Sequence, residues 1–252
     1  MQIAPIPTLS EEINDIRLRT ADIVGNRIIP NEGVIYSGGE KSAKLRKEIR
    51  EEVKKQGLWA PHLPEEYGGM GNGFLTHAYM NEILAWSPLG NRLFGVIAPN
   101  SGNQKILVKY GTDEQKEKWL IPLINQEMES GFSMTEPDAP GSDPRSLQTT
   151  AVKDGDEWVI NGHKIMTSNG QRADFLVVMC RTEDDDDDSG NANMKMTQII
   201  VPTDSPGLER VRSVPIWGHT GGDHMEIKYK DVRVPLENAL GARGSGHQAA
   251  QD

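Results

Sequence analysis

The sequence predicts an α+β protein: an all-α helical bundle over residues 1–128, a small antiparallel β-barrel domain over 129–239, and the start of a second helical domain over 240–252. Three observations predict it. Apolar residues recur at helical spacing from Thr8 to about Gln126. From there to Val234 the pattern breaks into short apolar runs separated by Gly, Pro, Asn and Asp. Residues 248–252 then begin a helical pattern too short to stand alone, so the remainder of that helical domain is expected beyond Asp252.

The helices follow in order. Thr8 or Ser10 caps the first, whose opening turn carries Glu11 and Glu12 and whose apolar positions are Ile13, Ile16, Leu18, Ile23 and Val24. Residues 42–56 repeat Leu45, Ile49 and Val53 four apart, with Gly57 where a helix stops. Residues 76–86 form a third run, and 93–98 and 104–110 are further apolar stretches in the same pattern. Thr112 opens the last helix with Gln115 three residues on, the spacing of a capping box. Trp119, Leu120, Leu123 and Ile124 make its buried face.

Strands are expected at 131–135, 147–153, 157–166, 174–181, 196–202, 208–211 and 226–234. Asp154-Gly155, Asn161-Gly162 and Asn169-Gly170 read as turns between them, the first as a hairpin. The aspartates 184–188 lack the alternating ligands and glycine of a calcium loop and read as a solvated hairpin loop.

Composition narrows the function. Lys and Arg number 27 against 37 Asp and Glu, a net charge of −10 that argues against a nucleic-acid or anionic-membrane footprint. No apolar run approaches the roughly 18 residues of a membrane span. The N-terminus lacks the pattern of a secretion signal, so a cytoplasmic location is expected. The single cysteine, Cys180, lies in an apolar run and reads as a buried, inert thiol. His62 has no second ligand at metal-like spacing, and no metal site is expected.

Two stretches carry the chemistry. Phe132-Ser133-Met134-Thr135-Glu136-Pro137 runs from a strand into a small-residue loop reaching Gly141-Ser142-Asp143, a shape that sets backbone N–H groups and hydroxyls against a planar polar ligand or a phosphate. Met166-Thr167-Ser168 ends a later strand, where alternate positions let Met166 and Ser168 address one ligand. With Asp231-Val232-Arg233-Val234-Pro235, and behind a helical half ending in Tyr110-Gly111-Thr112-Asp113-Glu114-Gln115-Lys116, these stretches resemble the flavin-dependent acyl-CoA dehydrogenase family over about residues 42–252. The Thr135-Glu136-Pro137-Asp138 loop looks most like the branch of family members ten and eleven.

The resemblance implies FAD held between the β domain and helical domains. Phe132, Met134 and Thr135 would meet the flavin's polar edge, with Gly141 and Ser142 near the ribityl-pyrophosphate. Met166, Thr167 and Ser168 would cover the ring system, and Ser142 would also contact substrate. It implies oxidation of an acyl-CoA to the trans-2-enoyl-CoA, an electron acceptor such as an electron-transferring flavoprotein, and a homodimer or homotetramer. The family's base is a glutamate expected beyond Asp252, so the chain by itself is expected to turn over poorly. Glu136, beside Pro137, is expected to shape the turn and is not assigned as the base. Many family members carry Trp where this chain has Met166, and Gly218-His219-Thr220-Gly221-Gly222-Asp223 departs from the better-known branches. Alternative readings are an acyl-CoA oxidase or flavin monooxygenase of the same superfamily, or a non-catalytic remnant that binds partners.

Overall fold

A computed structural model describes residues 3–182, 196–217 and 224–251. The aspartate run 184–188 and His219 lie outside the described residues. The chain divides into two compact units, Met1–Ser101 and Gly102–Asp252.

The first unit is helical. Helix α1, Glu11–Ile23, starts at Ser10, whose side chain accepts the Ile13 N–H at 3.2 Å. It runs on through a π-helical turn, Val24–Ile28, and a 3-10 turn, Ile29–Asn31, into α2, Glu32–Tyr36. Helix α3, Gly39–Lys55, buries Ile49 and Val53 and gives way at Gly57, whose φ of +66° only glycine adopts at no steric cost. Helix α4, Gly73–Leu84, buries Met80, Ile83 and Leu84. A short helix α5, Gly90–Leu93, ends where the apolar stretch 93–98 was expected to continue the pattern. The chain turns there because Gly95 adopts φ +76° against Trp59, whose indole would stand 2.8 Å from an added Cβ.

Helix α6, Asn100–Tyr110, supplies most of its length to the second unit. Next come α7, Asp113–Gln115, opened by the Thr112–Gln115 capping box, a π-helical turn, Lys116–Leu120, and α8, Ile121–Ile124. These helices are tied to the sheet by side chains. Asn103 donates to Ser130 Oγ at 2.8 Å and to the Gly131 carbonyl at 3.2 Å. Gln115 Nε2 donates to the Ala239 carbonyl at 2.9 Å, and Trp119 packs on Phe175 with ring centroids 5.0 Å apart.

The strands are β1, Ser130–Ser133; β2, Thr150–Asp154; β3, Glu157–Thr167; β4, Phe175–Arg181; β5, Met196–Pro202; β6, Leu208–Ser213; β7, Met225–Pro235; and β8, Ala239–Leu240. A last helix, α9, spans Gly246–Gln251. The strands order as β6-β7-β3-β2-β4-β5-β8, with β1 on β4. Pairing is antiparallel except where β1 and β2 meet β4. Strands β4 and β5 are buried on both faces, which accounts for the unbroken apolar run 175–180 and for Ile199, Ile200 and Val201 in succession. On one face Leu176, Val178 and Cys180 join the core with Trp158, Ile227 and Val232; on the other, Met179 and Met196 pack with Leu147.

The Asp154-Gly155 hairpin joins β2 to β3, with Gly155 at φ +62°. Asn161-Gly162, expected as a turn, lies inside β3. Its partner strand absorbs an extra residue there, Asp231 at φ +50°, which is bonded to the Asn161 amide, and the ladder continues past it. Gly162 leaves room for Thr149, whose Oγ1 would lie 2.2 Å from a Cβ at that position.

Between β3 and β4 the sheet holds an interrupted strand. The first part of β3 pairs with β2, Thr150 opposite Asn161. Farther along the same edge, Ile165 N–H donates to the Thr135 carbonyl at 2.8 Å and Phe132 bridges Ser168. The β1 extension and β2 therefore follow one another along β3 and both run parallel to β4. Residues 137–147 leave this line as a loop and return to it.

Candidate functional site

The two sequence stretches meet as an antiparallel ribbon. Phe132 lies opposite Ser168, Ser133 Oγ is 3.0 Å from Thr167 Oγ1, Thr135 accepts from Ile165, and Glu136 meets Lys164 at 2.9 Å. One register runs through all four pairs. Thr135 and Ser168, 33 positions apart in the sequence, stand on the two sides of one ribbon.

Strict alternation along β3, on which Met166 and Ser168 were expected to share a face, does not hold. β3 carries an extra residue between Lys164 and Thr167 relative to β7, and Met166 has φ +61°. Lys164 and Thr167 both point inward as a result, and Met166 is pushed out, 39% exposed. A left-handed backbone at a methionine is sterically unfavourable, and strain of this kind concentrates at functional sites.

The remaining site residues divide by environment. Phe132 and Met134 are half-buried against the cluster of Leu147, Met179 and Met196. Thr135 is half-buried, and its hydroxyl has no hydrogen-bond partner among the described residues. Gly141 and Ser142 are exposed on the loop; a Cβ at Gly141 would fill space 3.7 Å from Thr135 Cγ2, so the loop folds back over Thr135. Thr167 is fully buried with its hydroxyl bonded to Ser133, so its side chain faces the sheet interior. Ser168 Oγ lies 3.0 Å from His224 Nδ1.

Three groups beside the ribbon are not in the site expected from the sequence, which reads His224 as an exposed loop histidine. Tyr229 OH donates to Ser133 Oγ at 2.9 Å, and burial pushes its hydroxyl well above the usual phenol range. His224 joins Ser168 from β7's approach, a contact that needs the fold to be seen. Lys164 is wholly buried; its Nζ donates to the Met134 carbonyl at 2.7 Å and to Glu136 Oε1 at 2.9 Å. A signal for this pair was present: Lys164 shares the inward parity of Trp158 and Ile160, and an inward lysine requires a counter-charge. Burial pushes the Glu136 carboxyl up, but the Lys164 charge and hydrogen bonds from Thr149 and Gln148 outweigh it and hold it below the usual carboxylate range. Burial likewise pulls Lys164 down against the opposing charge of Glu136. Cys180, buried as expected, has its thiol pushed up to about 12, first by burial.

Among the described residues no group of three or more His, Cys, Asp or Glu could hold a metal, and no helix is long and apolar enough to cross a membrane. The ribbon is a patch with an exposed thioether, two half-buried hydroxyls and an overlying small-residue loop, suited to a planar ligand with polar edges.

The sequence model of the acyl-CoA dehydrogenase N-terminal domain matches residues 10–127, and that of the middle domain of the same family matches 131–232, a span that contains the whole ribbon. The chain belongs to the acyl-CoA dehydrogenase family. A relative in Mycobacterium tuberculosis, "Probable acyl-CoA dehydrogenase FadE2", is 39% identical over 208 residues, 81% of this chain and 49% of the relative. Acyl-CoA dehydrogenase family member 10 of Mus musculus is 36% identical over 216 residues, 82% of this chain and 20% of that protein. The chain thus spans half or less of these curated relatives, and the branch expected from the Thr135-Glu136-Pro137-Asp138 loop is among them. A solved glutaryl-CoA dehydrogenase from Mycobacterium smegmatis, in complex with FADH2, superposes with a TM-score of 0.70 at 27% identity, covering 96% of this chain and 58% of that one.

Proposed function

We propose that this chain is the flavin-cradling part of an acyl-CoA dehydrogenase, which oxidises an acyl-CoA thioester to the trans-2-enoyl-CoA. The observation that carries the reading is the ribbon, which sets Thr135 and Ser168 together with the bulged Met166 beside them, in a chain of this family. Its donor set fits FAD. Thr135 offers an unspent hydroxyl and Ser168 a second to the polar edge, Met166 an exposed apolar surface to the ring, and the Gly141-Ser142 loop a small-residue approach for the pyrophosphate. Phe132 and Met134 back the ribbon from below, Thr167 holds its geometry through Ser133, and Ser142 is proposed to touch substrate as well. When bound, FAD supplies the hydride acceptor for the reaction.

Glu136 is committed to Lys164 and to two backbone amides, which suits it to hold structure and not to abstract a proton. The base is proposed to come from residues outside the two matched domains. Acyl-CoA substrate, an electron-transferring flavoprotein as acceptor, a homo-oligomeric assembly and a cytoplasmic location are proposed for the whole protein, together with the division 1–128, 129–239 and 240–252.

The test is a titration of the purified chain with FAD, followed by flavin fluorescence. Saturable uptake is expected. The double substitution of Thr135→Ala and Ser168→Ala should weaken it about 30-fold, on roughly 1 kcal/mol for each lost hydrogen bond. Absence of uptake, or identical affinity in the double variant, would overturn the reading.

A further inference from the structure

The loop that carries Gly141 and Ser142 is closed at its base by one carboxylate. Glu136 is the last residue before the loop leaves the interrupted strand, and Gln148 and Thr149 are the first after its return. Glu136 Oε2 accepts the Gln148 N–H at 2.6 Å and Oε1 accepts the Thr149 N–H at 2.9 Å. Its side chain therefore satisfies two backbone N–H groups at the point where the strand resumes. Lys164, directly opposite on β3, bonds the same carboxylate and the Met134 carbonyl. Four hydrogen bonds thus converge where the loop's two ends, the β1 extension and β3 come together, with Glu136 6% exposed and Lys164 fully buried.

We infer that Glu136 and Lys164 are positioning residues. Their buried ion pair latches loop 137–147 against the ribbon and fixes Gly141 and Ser142 relative to Thr135, Met166 and Ser168. The inference rests on the flavin reading above and names what holds that site in shape. A latch is what the site needs, because the outer part of the loop contributes little packing of its own: Pro137, Asp138, Pro140, Gly141 and Ser142 are all exposed, and the buried Leu147 lies at the loop's return. Without a tie at its base, such a loop samples many conformations, and the ordering entropy would be charged against each binding event.

The chemistry requires the carboxylate and not merely a polar side chain. Two backbone N–H groups and one ammonium converge on Glu136, all of them donors. A carboxylate accepts from all three, whereas the amide of a Glu136→Gln variant has one accepting oxygen and turns an NH2 toward a remaining donor.

The experiment compares the chain with Glu136→Gln and with the double variant Glu136→Gln/Lys164→Met, which removes the stranded buried ammonium. Amide hydrogen exchange at residues 137–149, thermal midpoint and FAD affinity are read on each. The latch predicts faster exchange at Gln148 and Thr149 in both variants. It also predicts FAD affinity weakened at least about tenfold in both, even where the double variant recovers its thermal midpoint. Affinity that returns with the midpoint would overturn the positioning role and leave only structural support. Faster exchange with unchanged FAD affinity would overturn it too, while the flavin reading survives. Failure of the unaltered chain to take up FAD would overturn the flavin reading itself, and the positioning role with it.

Discussion

Replacing Lys164 by Met tests the electrostatics under the ribbon. The substitution keeps the length and apolar stem of the side chain but removes a fully buried ammonium bonded to Met134 and Glu136. Breaking a buried pair by deleting one partner typically costs about 3–5 kcal/mol, because the survivor is left charged and desolvated. Glu136 keeps two backbone N–H bonds, so the lower end applies, about 3 kcal/mol, or a fall in Tm of roughly 6–12 °C for a unit of this size. The loss has a pH signature. In the intact protein the folded-state pKa of Glu136 lies below its ordinary value of 4.5. A depressed carboxylate contributes stability that is fully present above that ordinary value and is lost as pH falls through the folded one. Lys164 provides much of the depression, so the gap between intact chain and variant should be widest at neutral pH and narrow below about pH 4. Thermal unfolding by circular dichroism at pH 7 and pH 3 reads both quantities. A fall in Tm under about 2 °C at pH 7, or a fall of equal size at both pH values, would refute the reasoning.

Other predictions follow from neighbouring residues. Tyr229→Phe removes the donor to Ser133 but leaves Ser133 bonded to Thr167, so it should cost about 1 kcal/mol, seen as a Tm lower by roughly 2–4 °C. Met166→Gly relieves a left-handed backbone worth about 1 kcal/mol, against a glycine entropy cost of similar size. Tm should therefore hold or rise while FAD affinity drops; unchanged affinity would remove Met166 from the site. Cys180, with its thiol pushed up to about 12 in a fully buried position, should resist a disulfide reagent at pH 8 in the folded chain. One equivalent should react after denaturation, as the chain has a single cysteine.

Much of this architecture was legible in the residues because local signals agreed with tertiary context. The apolar runs of β4 and β5, the Asp154-Gly155 hairpin, the Thr112–Gln115 capping box and the stop at Gly57 each state a local requirement that the fold then meets. Asn161-Gly162 misled because the same dipeptide that makes a tight turn also suits a strand whose partner bulges and where Thr149 needs the space of a missing Cβ. β8 was missed because two residues, Ala239 and Leu240, carry no periodicity; it exists only as the partner of Gln198 and Ile199. At the site, the two stretches were recognisable but their geometry was not. The bulge at Met166 turns Thr167 inward, and the Glu136–Lys164 pair joins residues whose meeting depends on register across an interrupted strand. Such pairings are decided by which backbone groups the ladder leaves open, and no window of sequence contains that information.

The central claim, that the paired strand ends of β1 and β3 receive a flavin, is tested most directly by an amide hydrogen-exchange footprint of the chain with and without FAD. Protection is predicted at residues 132–136 and 164–168 and in the loop around Gly141 and Ser142. Protection confined to other segments, with these three unchanged on saturation, would contradict it.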